Sequence, residues 1–101
     1  MSRPEDRIRL IVQADDFGMC HAVNEGVVEA FLDGILTQAT MMVPCPWFAE
    51  AADLAHRHGI PVGMHSTLTC EWDAMRWRPL TRGRSLAVSY THLTLPTNRE
   101  V

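Results

Sequence analysis

The sequence predicts a parallel α/β fold, because short β-branched segments alternate with helical segments along most of its 101 residues. Three strand-like segments begin at residues 8, 35 and 61, and a helical segment lies between each pair. This spacing is typical of parallel strands joined by right-handed helical crossovers. The composition agrees, since 47% of the residues are hydrophobic and 21% are charged, as in ordinary globular domains.

The predicted strands are apolar segments that end at polar or turn-forming residues. Ile8 to Ala14 (IRLIVQA) precedes Asp-Asp-Phe-Gly, and its apolar, β-branched character predicts a strand buried on both faces. The segment 35–43 (ILTQATMMV) ends at Pro44 and predicts a second strand. The segment 61–65 (PVGMH) predicts the start of a third strand.

The two helices are predicted from apolar side chains at helical spacing and from residues that end helices. Between residues 22 and 33, Val and Phe side chains recur four positions apart, and Gly34 follows as a stop. Pro46 is expected to open the second helix, and His58-Gly59 to close it. Its inner face is predicted to carry Phe48, Ala51, Ala52 and Ala55.

Three strands and two helices leave one sheet edge open, so we expect them to be the first part of a larger barrel or doubly wound sheet. The alternation stops after the segment 76–80, and Val88 to Thr97 (VSYTHLTLPT) resembles the translation of a transposon mosaic-end sequencing adapter. We therefore predict two parts, with residues 1–87 as a fragment of the natural domain and residues 88–101 as translated adapter. For this reason His92 is left out of any site.

Charge and hydropathy exclude several classes of protein. Nine basic residues, all of them Arg, against twelve acidic residues give a net charge of −3, which argues against a phosphate-driven nucleic-acid binder. The sequence has no apolar run near the roughly 20 residues of a membrane span and no signal-type segment, so we expect a cytoplasmic protein. Cys20, Cys45 and Cys70 lack paired C-x-x-C spacing and are expected to be free thiols.

Candidate functional groups follow the first and third predicted strands. In α/β sheets such groups gather at the carboxyl ends of strands, because the loops there converge on one face. Asp15 and Asp16 can take two roles there, one toward a metal and one toward substrate or water. His65 closes the third strand, and a carboxylate with an imidazole forms part of an open metal site. The alternatives are an Asp that caps the next turn and a structural histidine.

Other polar residues near these segments have structural explanations of their own. His56 and His58 lie at the polar end of the second helix, where cationic side chains suit the helix dipole. His21 lies near the first βα loop, where it could line the site or simply be a polar loop residue. Asn24 and Glu25 could cap the first helix or contact substrate.

An aromatic segment follows the third strand on the functional side. Glu71 and Trp72 are candidate substrate-binding residues, with Arg76 and Trp77 close by in sequence. Paired indoles beside polar groups suit the faces of sugar rings. The alternative is a loop that packs its own aromatic side chains.

Four motifs in this order resemble the YdjC/ChbG-like carbohydrate deacetylases, a family that includes the hopanoid-associated HpnK proteins. They are A-D-D-F-G after a strand, V-N-E-G at the first helix, G-I-x-T before the second strand and G-x-H-x-T-L-T at the third. The resemblance extends from about Arg9 to Leu80, and the combination of motifs makes it specific. Ser66 departs from it, since an apolar residue is common at that position in the family.

The resemblance implies a TIM-barrel-like fold and metal-dependent removal of an N-acetyl group from an amino sugar or chitooligosaccharide. It implies that Asp15 is the general base and that Asp16 and His65 bind a divalent ion, Mg or Zn. It also implies a further metal-binding histidine from a later strand, and a homodimer is common among members. Because the natural sequence is predicted to stop before that strand, we expect this chain to have little or no activity alone.

Two other classes of protein share some of these features. A signalling receiver domain also places an acidic pair after its first strand, but it needs a phosphoacceptor Asp at the third strand and a later Lys. This sequence has His65 at that strand and no Lys. A non-catalytic sugar-binding or interaction module that uses Trp72 and Trp77 stays open as the alternative function.

Overall fold

The computed structural model describes residues 3–81 and the short strands at 87–88 and 92–93. After a 3-10 turn at Pro4–Asp6, the main elements are β1 (Gln13–Phe17), α1 (His21–Leu32), β2 (Gln38–Met41), α2 (Phe48–His58) and β3 (Val62–Met64). The three strands form one parallel sheet in the order β1-β2-β3. The predicted parallel α/β class and the alternation of its elements are confirmed.

The first strand begins later in the chain than the sequence predicts. Ile8 is 97% exposed and Leu10 is 73% exposed, so the expectation of a strand from residue 8 buried on both faces is wrong. The partner strand β2 begins at Gln38, which is opposite Gln13. An apolar segment is buried only where another segment packs against it. The mostly apolar sequence of residues 8–11 is therefore not sufficient to predict a buried strand.

The main core lies where α1 and α2 pack against the sheet. Its buried residues are Phe17, Val27, Leu36, Ala39, Met41, Ala51, Ala55 and Ile60. The predicted inner face of α2 is confirmed, although the helix begins at Phe48 with Trp47 as its N-cap rather than at Pro46. Gly59 ends α2 in the left-handed conformation, with φ 66°, as expected of a C-terminal glycine.

The sheet has exposed edges within the described residues. All three residues of β3 are exposed, because β3 pairs with β2 on one side and the order β1-β2-β3 places it at an edge. The strands β4 (Ala87–Val88) and β5 (His92–Leu93) form a separate antiparallel pair. Most of the predicted adapter at 88–101 lies outside the described residues, so that domain boundary stays a prediction.

The helices of the described part are short. The longest, α1, has 12 residues, and none in this part of the chain is long and apolar enough to cross a membrane.

Candidate active site

A β-bulge at the end of β1 contains two successive carboxylates, Asp15 and Asp16. Ala14 pairs with Ala39 and Phe17 pairs with Met41, so β1 has one more residue than β2 between the two pairings. Asp16 takes up the irregularity with φ 65°, a left-handed conformation that Asp tolerates better than most residues. Bulges of this kind commonly re-aim side chains at functional sites.

Asp15 lies on a polar face of the sheet, opposite the core. Its Oδ1 atom accepts hydrogen bonds from Gln13 Nε2 and from Thr40 Oγ1, each at 2.8 Å. Gln13 in turn accepts a bond from Gln38 at 2.6 Å. These donors, Gln13 first, lower the pKa of Asp15, with a smaller contribution from His65, so the side chain is a carboxylate at neutral pH.

Asp16 and His65 converge at the carboxyl ends of the strands, as the sequence predicts. The His65 backbone N–H donates to the Met41 carbonyl at 2.9 Å, and the Thr67 hydroxyl donates to the His65 carbonyl at 2.7 Å. These bonds fix the end of β3 next to β2. The His65 Nδ1 atom lies 3.5 Å from Asp16 Oδ1, is buried and makes no hydrogen bond.

This pair has the chemistry and spacing of two metal ligands. Imidazole nitrogen and carboxylate oxygen are both common zinc ligands, and two such atoms at about 2.1 Å from one tetrahedral ion lie about 3.4 Å apart. A buried Nδ1 atom without a hydrogen-bond partner is also what an imidazole that awaits a ligand presents. Within residues 3–81 no group of three or more His, Cys, Asp or Glu side chains is close enough to hold an ion. The described part therefore offers two candidate ligands, Asp16 and His65.

A second apolar cluster, made of Met42, Cys45, Cys70 and Trp77, lies next to Asp16. Burial raises the pKa of the Cys45 thiol to about 12, with smaller contributions from Asp16 and Cys70. The prediction of free thiols is confirmed, with Cys45 and Cys70 buried and Cys20 partly exposed.

The aromatic segment after β3 divides into a buried and an exposed part. Trp77 is 6% exposed, its Nε1 atom donates to the Thr69 carbonyl at 3.1 Å, and its indole is buried in the cluster with Met42, Cys45 and Cys70. A sugar-stacking role for Trp77 is therefore wrong. Trp72 is 48% exposed and Glu71 is exposed, and their role in substrate binding stays a prediction.

An open cleft of about 220 Å³ borders His65. Ser66 and Thr67 supply hydroxyl groups to its wall, while Met64, Pro79 and Leu80 supply apolar surface. The cleft therefore offers a small molecule beside His65 both hydrogen-bonding and apolar contacts.

Asn24 is a residue whose place the sequence does not reveal. The N-cap of α1 is Cys20, so the expectation that Asn24 caps this helix is wrong. Asn24 lies inside α1 and is 0% exposed. Its Oδ1 atom accepts the Gly18 N–H at 2.7 Å, and its Nδ2 group donates to the Trp47 carbonyl and to Glu50. The available signal was its position on the apolar stripe of α1, three residues before Val27.

Three further histidines, His21, His56 and His58, belong to the helices. His21 begins α1, and its ring lies between Glu25 at 3.0 Å and Glu50 at 2.9 Å. His56 and His58 lie in the last turn of α2, which agrees with the structural role predicted for them.

The described fold and site define a parallel α/β protein with a carboxylate and imidazole pair at the carboxyl ends of its strands. The YdjC-like protein family matches residues 9–96, and the chain belongs to this family. The resemblance drawn from the four sequence motifs is thus confirmed. The match extends beyond residue 88 and so overlaps the segment predicted to be adapter.

Curated relatives of this chain carry deacetylase names. The human carbohydrate deacetylase is 51% identical over 69 residues, which are 68% of this chain and 21% of that protein. The chitooligosaccharide deacetylase of Yersinia enterocolitica is 45% identical over 78 residues, which are 76% of this chain and 28% of that protein. A carbohydrate deacetylase of Vibrio vulnificus is 42% identical over 80 residues, which are 78% and 29% of the two chains. This chain thus spans less than a third of each relative.

Proposed function

We propose that this chain is the part of a metal-dependent carbohydrate deacetylase that supplies its general base and two of its metal ligands. The substrate class is an N-acetylated amino sugar or chitooligosaccharide. The observation that carries the proposal is the 3.5 Å approach of His65 Nδ1 to Asp16 Oδ1, with the Asp15 carboxylate on the preceding residue. Family membership and the names of the relatives support the reaction type.

In this proposal Asp16 and His65 hold a divalent ion. An ion held there would supply Lewis-acid polarisation of the acetamide carbonyl and would acidify a water. An imidazole ligand suits Zn better than Mg, which prefers oxygen ligands in octahedral geometry. Both ions remain to be compared by titration.

Asp15 acts as the general base. Its carboxylate accepts a proton from the water that attacks the acetamide carbon. The carbon–nitrogen bond then breaks while the proton passes to the leaving nitrogen, so that acetate and the free amine leave. The hydrogen bonds that lower the pKa of Asp15 keep it ionised at neutral pH but also make it a weak base. A weak base is sufficient only for an acidified water, so the role of Asp15 depends on the ion.

We place this chain within a TIM-barrel-like fold. Its strands are parallel and follow each other in sequence order, as in a barrel. This order excludes the 2-1-3 start of a flavodoxin-like sheet but is shared with the start of a Rossmann-type sheet. A hydrogen-bonded polar face that includes Asp15, on the side opposite the helices, agrees with an interior that carries functional groups. Cytoplasmic location and homodimerisation stay predictions.

The proposal is tested in two assays. Isothermal titration of the 101-residue chain with Zn²⁺ and Mg²⁺ measures ion binding, and release of acetate from N-acetylglucosamine oligomers is measured with this segment carried in a chain of the relatives' full length. Asp15→Asn is expected to lower kcat by about 10²- to 10⁴-fold while ion binding persists. His65→Ala is expected to abolish ion binding and activity.

The matched control is His56→Ala, which removes an imidazole from the exposed last turn of α2. It is expected to leave ion binding and acetate release unchanged. Full activity of Asp15→Asn or His65→Ala would refute the assignment. Activity that persists after exhaustive chelation would refute the metal, and sugar binding with no acetate release would favour the non-catalytic sugar-binding module.

A further inference from the structure

Asn24 is the one polar residue among the buried side chains of the described part, residues 3–81. A buried amide is costly unless its donors and acceptor are satisfied. Here both ends of the amide are used, because Oδ1 accepts one hydrogen bond and Nδ2 donates two. Burial at 0% exposure with full satisfaction indicates an orientation that is fixed by its partners.

Gly18, Asn24 and Trp47 form a closed ring of hydrogen bonds, which we call the Asn24 ring. Gly18 N–H donates to Asn24 Oδ1 at 2.7 Å, Asn24 Nδ2 donates to the Trp47 carbonyl at 3.1 Å, and Trp47 N–H donates to the Gly18 carbonyl at 3.0 Å. The ring thus holds both polar groups of Gly18. Hydrogen bonds in such a cycle polarise one another, which strengthens each of them.

The Asn24 ring lies two residues after Asp16. Asp16 has φ 65° and Gly18 has φ 106°, so the turn that presents the carboxylate uses two backbone conformations that most residues avoid. The Asp16 carbonyl also accepts the Met19 N–H at 3.1 Å, which closes the same turn. Such a turn persists only where its surroundings hold it, and the Asn24 ring is the part of those surroundings that contacts Gly18 through a side chain.

The Asn24 ring is also attached to α2. Asn24 Nδ2 lies 3.2 Å from Glu50 Oε1, and Glu50 accepts a further hydrogen bond from the His21 ring at 2.9 Å. The turn after β1 is therefore tied to the first turns of both helices. Both helices pack on the sheet. The ring therefore holds the backbone of the Asp16 turn at a defined position relative to the sheet.

We propose that Asn24 is a positioning residue, which holds the Asp16 turn so that the carboxylate lies opposite His65 Nδ1. The inference rests on the proposed function for its consequence, since the placement of Asp16 then determines ion affinity. Asn24 does not touch the ion or the substrate in this scheme. It acts through the Gly18 peptide.

The first experiment compares Asn24→Ala with wild type in the 101-residue chain, by isothermal titration with Zn²⁺ at a temperature where both are folded. Loss of an interaction that orients a ligand typically weakens metal binding 10- to 100-fold, so we expect at least a 10-fold weaker dissociation constant. The matched control is Val27→Ala, which removes core volume from the same helix but leaves the Asn24 ring intact. We expect its Zn²⁺ affinity to stay within about 2-fold of wild type.

A second readout needs no metal. Amide hydrogen exchange at Gly18 and the NMR shifts of the Asp16 and His65 amides are measured in the ion-free chain. Asn24→Ala is expected to deprotect the Gly18 amide and to shift both resonances, while Val27→Ala leaves them in place. If wild type binds no Zn²⁺ but these shifts occur, the metal site is wrong and the positioning role stands.

A rescue variant separates the Gly18 bond from folding. Asn24→Asp keeps an acceptor for Gly18 N–H but loses the donor to the Trp47 carbonyl, so it tests the Gly18 bond alone. Glu50→Gln in the same chain removes the like charge that the new carboxylate would face. This double variant is expected to protect the Gly18 amide and to bind Zn²⁺ more tightly than Asn24→Ala. The inference is overturned if Asn24→Ala leaves Zn²⁺ affinity and the two amide shifts unchanged, if Val27→Ala alters them equally, or if the double variant protects Gly18 without any gain in affinity.

Discussion

The His21 Nδ1 atom lies 2.9 Å from Glu50 Oε1, and this contact joins the first residue of α1 to the first turn of α2. The other ring nitrogen, Nε2, lies 3.0 Å from Glu25 Oε1. With a carboxylate at each nitrogen, both are best used as donors, which is the protonated form of the ring. The ring also lies against Trp47, with centroids 5.5 Å apart.

The pKa of His21 is raised above its ordinary value of 6.5, and the main cause of this rise is the hydrogen bond from the ring to Glu50. Glu50→Gln should lower this pKa more than Glu25→Gln, because Glu50 is the larger contributor. NMR titration of the imidazole protons in the three chains measures the order. An equal pKa in wild type and Glu50→Gln would contradict it.

The same shift predicts a pH dependence of stability. A raised pKa means that the ion pairs of His21 stabilise the fold fully below pH 6.5 and that this contribution is lost as pH rises through the folded-state value. The difference in unfolding free energy between wild type and His21→Gln should therefore be larger at pH 5.5 than at pH 8.5. Urea titrations at the two pH values measure it, and a difference that grows with pH would contradict the assignment.

Thr40 is expected to control the ionisation of Asp15. Its hydroxyl is one of the two donors that lower the pKa of this carboxyl, so Thr40→Val should raise the pKa toward 3.8. The control is Thr37→Val, which removes a hydroxyl bonded to the Val12 backbone instead. The ¹³C shift of the Asp15 carboxyl, followed against pH, measures its pKa in each variant. Thr37→Val is expected to leave this pKa unchanged.

A lowered pKa also gives the direction of the stability effect. The contribution of Asp15 is present above about pH 3.8 and is lost as pH falls through the lower folded-state value. The difference in unfolding free energy between wild type and Asp15→Asn should therefore decrease as pH is lowered from 5 to the lowest pH at which both chains are folded. A constant gap over this range would argue against the hydrogen bonds seen at Asp15.

Gly18 and Gly26 are expected to respond to alanine in opposite directions. A Cβ atom at Gly18 would lie 3.2 Å from the Met42 carbonyl oxygen, at φ 106°, so Gly18→Ala should destabilise the chain by about 2 kcal/mol or more. Gly26 lies inside α1 with nothing within 4 Å of an added Cβ. Gly26→Ala should stabilise the chain by about 0.5–1 kcal/mol. Urea unfolding of both variants measures the signs.

The three thiols are expected to react in order of exposure. Cys20 is partly exposed, whereas Cys45 is 5% exposed and burial raises its pKa to about 12. Thiolate is the reactive form, so iodoacetamide at pH 8 should label Cys20 at least 10-fold faster than Cys45 in the folded chain. Peptide mass spectrometry over time measures the rates, and equal labelling in urea provides the control.

Sequence patterns alone were sufficient to predict the order of the elements, the inner face of α2 and the approach of Asp16 to His65. These follow from local signals, because side-chain period identifies an element and parallel strands bring their carboxyl ends to one edge. The V-N-E-G and A-D-D-F-G motifs indicated the family. They did not reveal that Asn24 of the first motif accepts a hydrogen bond from the Gly18 backbone of the second. That link is a contact between separate segments, which periodicity does not encode.

The burial of individual side chains and the conformation of the turn after β1 depend on tertiary contacts. Ile8, Leu10 and Ile11 are exposed because β2 begins opposite Gln13, and Trp77 is buried because it packs with Met42, Cys45 and Cys70. The bulge at Asp16 and the Asn24 ring depend on the register between β1 and β2 and on the packing of both helices. Burial and register are properties of pairs of distant segments, so they arise only when those segments meet.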